Sequence, residues 1–288
     1  MRSEAEMMDM VIAAAREDDN VRAVLLNGSR ANPNAKKDMF QDYDIVFIVR
    51  DTSPFFINRS YMDRFGDLIM LQMPETMRDP IGDGRFTYLA LFNDLNRIDL
   101  QIIPADRYEG MLGNDSQTML LLDKDNIVPA PPPASDASYH VKHPAANDFY
   151  SCCNNFWWCL QNVAKGIWRD ELPYAMQTYE RYVRAELDCM VEWRIGMLNG
   201  FQVSAGKMGK YFKRYLDADT YQTYTDTYSD GQYDRMWDSM FTMCSLFRSL
   251  ASRVAENFDF CYPKEDDERM TGYLRHVRSL CGNGEDRP

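Results

Sequence analysis

LNGSRANPNAKKDMFQDYDIVFIV, residues 26–49, links the end of one apolar run to the head of the next. The runs themselves, Val21 to Leu26 and Asp44 to Val49, are short and rich in β-branched and aliphatic residues, which predicts two strands buried on at least one face. Asp42 and Asp44 lie two residues apart at the head of the second run. In extended backbone that spacing sends both carboxylates to one face and Tyr43 to the other. Two like charges so close repel unless a cation lies between them. Mg²⁺ is the natural candidate, a hard ion held by one or two carboxylates together with substrate phosphates. Gly28-Ser29 leaves the first strand, and a turn of this kind exposes backbone N–H groups and a hydroxyl that can cradle phosphate oxygens. Taken alone, Gly-Ser is an ordinary turn. Arg30 follows directly and is a further candidate for phosphate.

On either side of this stretch the pattern is mixed. Residues 3–18 open with Ser3-x-x-Glu6, a capping box, and continue with Met7, Met8, Val11, Ile12 and Ala15 at helical spacing. A short capped helical segment is expected over Ser60–Phe65. Strands are expected over 67–73, 86–92 and 97–103, with turn-rich pieces such as 79–84 between them. Four or five strands with interspersed helices fit a small sheet covered on one side. Asp99 interrupts the apolar run RIDLQII, where an unpaired acid would be costly to bury. A metal shared with Asp42 and Asp44 would supply its partner. Pairing with Arg97, or a strand edge in water, is the plainer alternative.

Between residues 126 and 147 the composition turns proline-rich, VPAPPPASDASYHVKHPAA, and favours extended backbone. Beyond it apolar residues recur at helical spacing over 148–166, 171–198, 207–216 and 232–258. The expected fold class is therefore α+β: a mixed-sheet domain over residues 1–135, then an all-α helical bundle over 136–288. A length of 288 residues agrees with two domains. The terminal CGNGEDRP reads as a frayed tail.

The formal net charge of −12 disfavours nucleic acid and favours a cationic small molecule. The apolar runs are too short to cross a bilayer, and MRSEAEMMDM lacks the apolar core of an export signal, so a cytoplasmic location and no membrane partner are expected. Seven cysteines without CxxC spacing read as reduced core residues. His140-x-x-His143 lies among prolines without a neighbouring acid or cysteine, a poor metal site.

The combination of Gly-Ser, Asp-x-Asp heading a strand and an isolated Asp in a later strand resembles the nucleotidyltransferase superfamily related to DNA polymerase β. The same stretch together with RIDLQIIP, FWWCLQNVAKGIWRDELPYA and GKMGKYFKRYL is similar, over nearly the whole chain, to the aminoglycoside 6-adenylyltransferases, bacterial streptomycin resistance enzymes. That resemblance implies Mg²⁺-dependent transfer of AMP from ATP to the 6-hydroxyl of streptomycin with release of pyrophosphate. By match of motif it implies Asp42, Asp44 and Asp99 as metal ligands and catalytic acids, with Gly28 and Ser29 against phosphate. Asp99 is also the simplest candidate to take the proton of the attacking hydroxyl. Lys207, Lys210 and Lys213 recur at helical spacing, so Lys210 and Lys213 are further candidates for the triphosphate. Trp168, Asp170, Glu171 and Tyr174 fall at a turn between expected helices and could offer the acceptor an aromatic wall and negative charge, or Asp170 or Glu171 could simply cap the next helix. A monomer or weak homodimer is expected.

Overall fold

The computed structural model describes all residues except 57, 81, 113, 114 and 283–288. The expected tail therefore lies mostly outside the described residues. The chain divides into two compact units, Met1–Ser138 and Tyr139–Pro288.

The first unit begins with α1 (Glu4–Glu17), whose Ser3 side chain accepts from the Glu6 N–H while the Glu6 carboxylate accepts from the Ser3 N–H. The strands are β1 (Val21–Asn27), β2 (Tyr43–Val49), β3 (Leu68–Gln72), β4 (Phe86–Phe92), β5 (Arg97–Pro104) and β6 (Thr118–Asp123). Their order in the sheet is β3-β4-β5-β2-β1-β6, so among the described residues there are six strands, more than the four or five expected. The segment 59–65 is a 3₁₀ turn.

Among the described residues only β2 and β5 run parallel, in a register that sets Asp44 opposite Asp99 and Phe47 opposite Ile102. All other neighbouring pairs are antiparallel. One sheet face packs Tyr43, Ile45, Phe47, Ile98, Leu100, Phe86 and Tyr88 against Met7 and Val11 of α1. The other face is not bare, contrary to expectation. Ala23, Leu25, Val46, Ile48 and Ile103 meet Tyr108 and Met111 of α2 (Tyr108–Leu112) and Ile127 and Val128 of the chain after β6. By period-two alternation Asp44, Arg97 and Asp99 belong to this second, less covered face.

In the second unit α3 (Ala146–Trp168) packs against α4 (Leu172–Thr178), α5 (Arg184–Leu198) and α9 (Lys264–Gly282). Between α4 and α5 the helix continues through a π turn, Tyr179–Val183. The remaining helices are α6 (Phe212–Tyr215), α7 (Ala218–Asp226) and α8 (Tyr233–Phe258). The core is aromatic and sulfur-rich: Phe156 stacks on Phe247 with ring centres 3.7 Å apart, and Trp157, Trp237, Met240, Met243 and Cys244 are buried with them. The expected helix over 207–216 is not formed as one piece. Gly206, Met208 and Gly209 all have positive φ, which a right-handed helix cannot contain, so a 3₁₀ turn precedes the short α6 and the three lysines do not share a helical face. His143 stacks on Phe201 with ring centres 3.7 Å apart. Among the described residues no helix is long and apolar enough to cross a membrane.

Candidate active site

β1 ends at Asn27, and its ladder with β6 is extended by the Gly28 N–H, which donates to Gln117 O at 3.0 Å. Gly28 has φ of +71°, and a Cβ built there would stand 2.2 Å from Asp44 Oδ2. Both facts demand glycine: the backbone is in the left-handed region and the space where a methyl would sit is filled by the Asp44 carboxylate. Gly28 is thus a fixed wall of the pocket that holds Asp44. Gly28 to Arg30 form a 3₁₀ turn. Gln41 Nε2 approaches Ser29 O and Oγ, each at 3.4 Å, bringing the end of the 31–42 loop back to the turn.

Arg30 points inward. Its guanidinium donates to Asp42 O at 3.1 Å and Gln41 O at 2.8 Å, pairs with Glu4 at 3.3 Å and lies 3.7 Å over the Tyr43 ring. Those contacts fix the backbone that carries Asp42 into β2. Its side chain is 8% exposed, so its donors serve the fold around the acids.

The three acids gather at one end of the β2–β5 pair. Asp44 and Asp99 are register partners on adjacent strands. Arg97, two residues before Asp99 and on the same face, donates from Nε to Asp99 Oδ1 and from Nη2 to Asp99 Oδ2, both at 2.7 Å. Its Nη1 lies 3.6 Å from Asp42 Oδ2. The plainer alternative for Asp99, an ion pair with Arg97, is therefore present alongside the convergence with Asp42 and Asp44. Burial pushes Asp44 up to about 6, and the charges of Asp99 and Asp42 add to that. Burial also raises Asp42, with Arg97 opposing the shift. A site where burial and neighbouring like charge make carboxylates resist ionisation suits a hard divalent cation, and oxygen donors are what Mg²⁺ takes. Even so, among the described residues no three His, Cys, Asp or Glu side chains form a ready-made metal cage. Arg97 lies among the acids instead.

The other sequence-derived candidates lie in the helical unit. Trp168 ends α3 and packs partly buried on the core. Asp170 adopts φ of +59° and accepts from the Tyr233 hydroxyl at 2.8 Å. Glu171 occupies the N-cap of α4 without a side-chain capping bond. Tyr174 is 47% exposed. Lys210 lies 5.1 Å from the Tyr211 ring centre and Lys213 5.8 Å from that of Tyr221. Asp188 and Glu192, absent from the candidates above, lie one turn apart on α5. Both are raised by burial, Asp188 while accepting from the Tyr224 hydroxyl at 2.8 Å, and Glu192 with Asp188 adding to the shift. Their i,i+4 spacing was a legible signal, because like charges so placed repel and are disfavoured on an ordinary helix.

A mixed sheet bearing acids on neighbouring parallel strands beside a Gly-Ser turn, followed by a helical bundle, is the architecture of a nucleotidyltransferase. Comparison with known proteins narrows the class. The family model "Streptomycin adenylyltransferase" matches residues 1–277. An aminoglycoside 6-adenylyltransferase of Campylobacter jejuni is 38% identical over 287 residues, covering 99% of each chain. One of Bacillus subtilis (strain 168) is 39% identical over 280 residues, covering 96% of this chain and 98% of the other. A crystal structure of an aminoglycoside 6-adenyltransferase from Bacillus subtilis covers 96% of this chain and 99% of its own at 36% identity, with a TM-score of 0.49. The chain belongs to the streptomycin adenylyltransferase family. It is an enzyme, an adenylyltransferase.

Proposed function

We propose that the chain transfers AMP from ATP to a hydroxyl of an aminoglycoside, with the 6-hydroxyl of streptomycin as the first choice of acceptor, releasing pyrophosphate and so conferring resistance on its host. The observation that carries this reading is the register of β2 on β5, which sets Asp44 beside Asp99 on one face while Asp42 shares the Arg97 guanidinium with Asp99. The names of the relatives supply the acceptor class.

Asp42, Asp44 and Asp99 would hold Mg²⁺, and the bound ion supplies charge neutralisation and in-line alignment at the α-phosphorus. The chain's own groups do the rest. Gly28 keeps Asp44 at the turn, Ser29 offers its hydroxyl to phosphate, and Arg30 fixes the backbone of Gln41 and Asp42. Asp99 is placed to take the proton of the attacking hydroxyl once its carboxylate is released from Arg97. Lys210 and Lys213 are proposed for the triphosphate. Trp168, Asp170, Glu171 and Tyr174 are proposed for the acceptor, whose two guanidinium groups and amine match carboxylates in an acidic protein.

The test is a panel of aminoglycosides, lincosamides and protein hydroxyls incubated with the protein, ATP and Mg²⁺ and read by mass. Streptomycin should gain one AMP with stoichiometric pyrophosphate. If streptomycin and ATP both bind yet no acceptor gains mass, the reading is rejected; a gain on a different acceptor alone would keep the chemistry and replace the substrate.

A further inference from the structure

Arg97 engages both oxygens of Asp99 at 2.7 Å and reaches Asp42 at 3.6 Å, so one guanidinium bridges two of the three acids. Across β4 its register partner is Leu91, which offers no polar side chain to draw it elsewhere. The Arg97 side chain is 41% exposed against 17% for Asp99, leaving it a path outward toward solvent. We propose that Arg97 is an internal placeholder cation: it holds the three carboxylates together while no metal is bound, and it must leave Asp99 before a divalent ion can be gripped by all three. This rests on the proposed function only in taking the acids as the metal site.

The physical reason is competition for the same lone pairs. A planar guanidinium fork matched to both oxygens of a carboxylate leaves that group little capacity for a second ligand. A fixed positive charge within a few ångströms of a divalent ion also repels it. Retaining Arg97 on Asp99 would therefore cost metal affinity, whereas without Arg97 or metal the three acids repel one another. Arg97 is a positioning residue, acting through Asp99.

The full-length protein, its Arg97→Gln variant and its Arg97→Lys variant should be titrated with Mn²⁺ alone, without nucleotide, at pH 8, by calorimetry and by melting with and without metal. Arg97→Gln should bind Mn²⁺ at least about fivefold more tightly than the wild type, melt several degrees lower without metal, and regain the wild-type melting temperature on adding Mn²⁺. Arg97→Lys, which keeps the charge but loses the fork, should fall between the two and remains informative if the glutamine variant does not fold. Equal or weaker Mn²⁺ binding by both variants overturns the proposal. If in that case the wild type binds Mn²⁺ and Asp44→Asn does not, the metal site stands and only the placeholder role falls. If no form binds Mn²⁺, the metal assignment falls and this inference with it, while AMP transfer remains a separate measurement.

Discussion

Arg184 of the helical unit and Arg97 of the sheet unit sit in contrasting surroundings. In the helical unit Arg184, 6% exposed at its side chain, is matched on every side: Glu180 accepts from Nε and Nη2, Thr227 accepts at Oγ1 and at its backbone oxygen, and the Tyr228 ring lies 3.8 Å from the guanidinium. In the sheet unit Arg97 pairs with Asp99 and Asp42, and burial, with the charges of Asp99 and Asp42 adding to it, pushes Asp44 up to about 6. A fully paired network holds a fold together, whereas like charges gathered at the end of a sheet work against it.

Four measurements test the difference between the two surroundings. The largest effect is expected from Asp44→Asn, which should lower adenylyl transfer roughly a thousandfold through loss of metal-borne charge stabilisation. The metal-free fold should at the same time be no less stable than wild type, because the substitution relieves repulsion from Asp42 and Asp99. A large loss of stability measured by urea titration would show that Asp44 is structural.

Arg184→Met is the converse. It leaves Glu180 and the Thr227 groups without their partner inside the helical core, and should cost about 3 kcal/mol in a denaturant titration. Mn²⁺ binding by the acids of the sheet unit should be unchanged. Metal binding that falls in parallel with stability would mean the two regions are not energetically separate.

Gly28→Ala places a methyl where Asp44 Oδ2 lies 2.2 Å away, at φ of +71°. The expected destabilisation is about 2 kcal/mol, together with weaker metal binding as Asp44 is displaced. A variant with wild-type metal affinity would show that the carboxylate has room to move.

The smallest effect is on pH dependence. The folded-state pKa of Asp44 lies above its value in the unfolded chain, so between about pH 4 and pH 6 the folded protein binds the extra proton and metal-free stability falls as pH rises. Relative to Asp44→Asn, the wild type should match it near pH 4 and be weaker by on the order of 1 kcal/mol above pH 6, the figure being reduced for solvent screening. Melting both proteins with chelator across that window checks the sign, and a difference that stays flat would place Asp44 in a more polar setting than its burial suggests.

Much of the fold was legible because it rests on local periodicity. The capping box at Ser3 and Glu6, the strands around Val24, Phe47 and Tyr88, and the helices around Phe156 and Phe247 announce themselves through spacing and apolar run length. What escaped reading has a weaker local signature. β6 is an edge strand of half-exposed residues with Asp123 at its end. α9 is mostly polar, and is held by few apolar contacts such as Leu274 and Val277 and by Asp267, which Arg248 engages. The 207–216 segment carries lysines at helical spacing, yet Met208 and Gly209 at positive φ interrupt it, with Gly206 just before it in the same region. Spacing proposes a helix and backbone conformation decides it.

The candidate site divides in the same way. That Asp42 and Asp44 share a face follows from the two-residue period of extended backbone, a property of a few consecutive residues. Which strand lies beside them does not. β3 and β4 intervene in sequence between β2 and β5, and only the sheet order β3-β4-β5-β2-β1-β6 brings Asp99 next to Asp44 and carries Arg97 in with it. Local sequence dictates which groups are available and the strand face each occupies. The tertiary structure alone decided their neighbours, because strand pairing and register are set by packing of the whole apolar face, where a slip of one residue would have turned Asp99 to the opposite side.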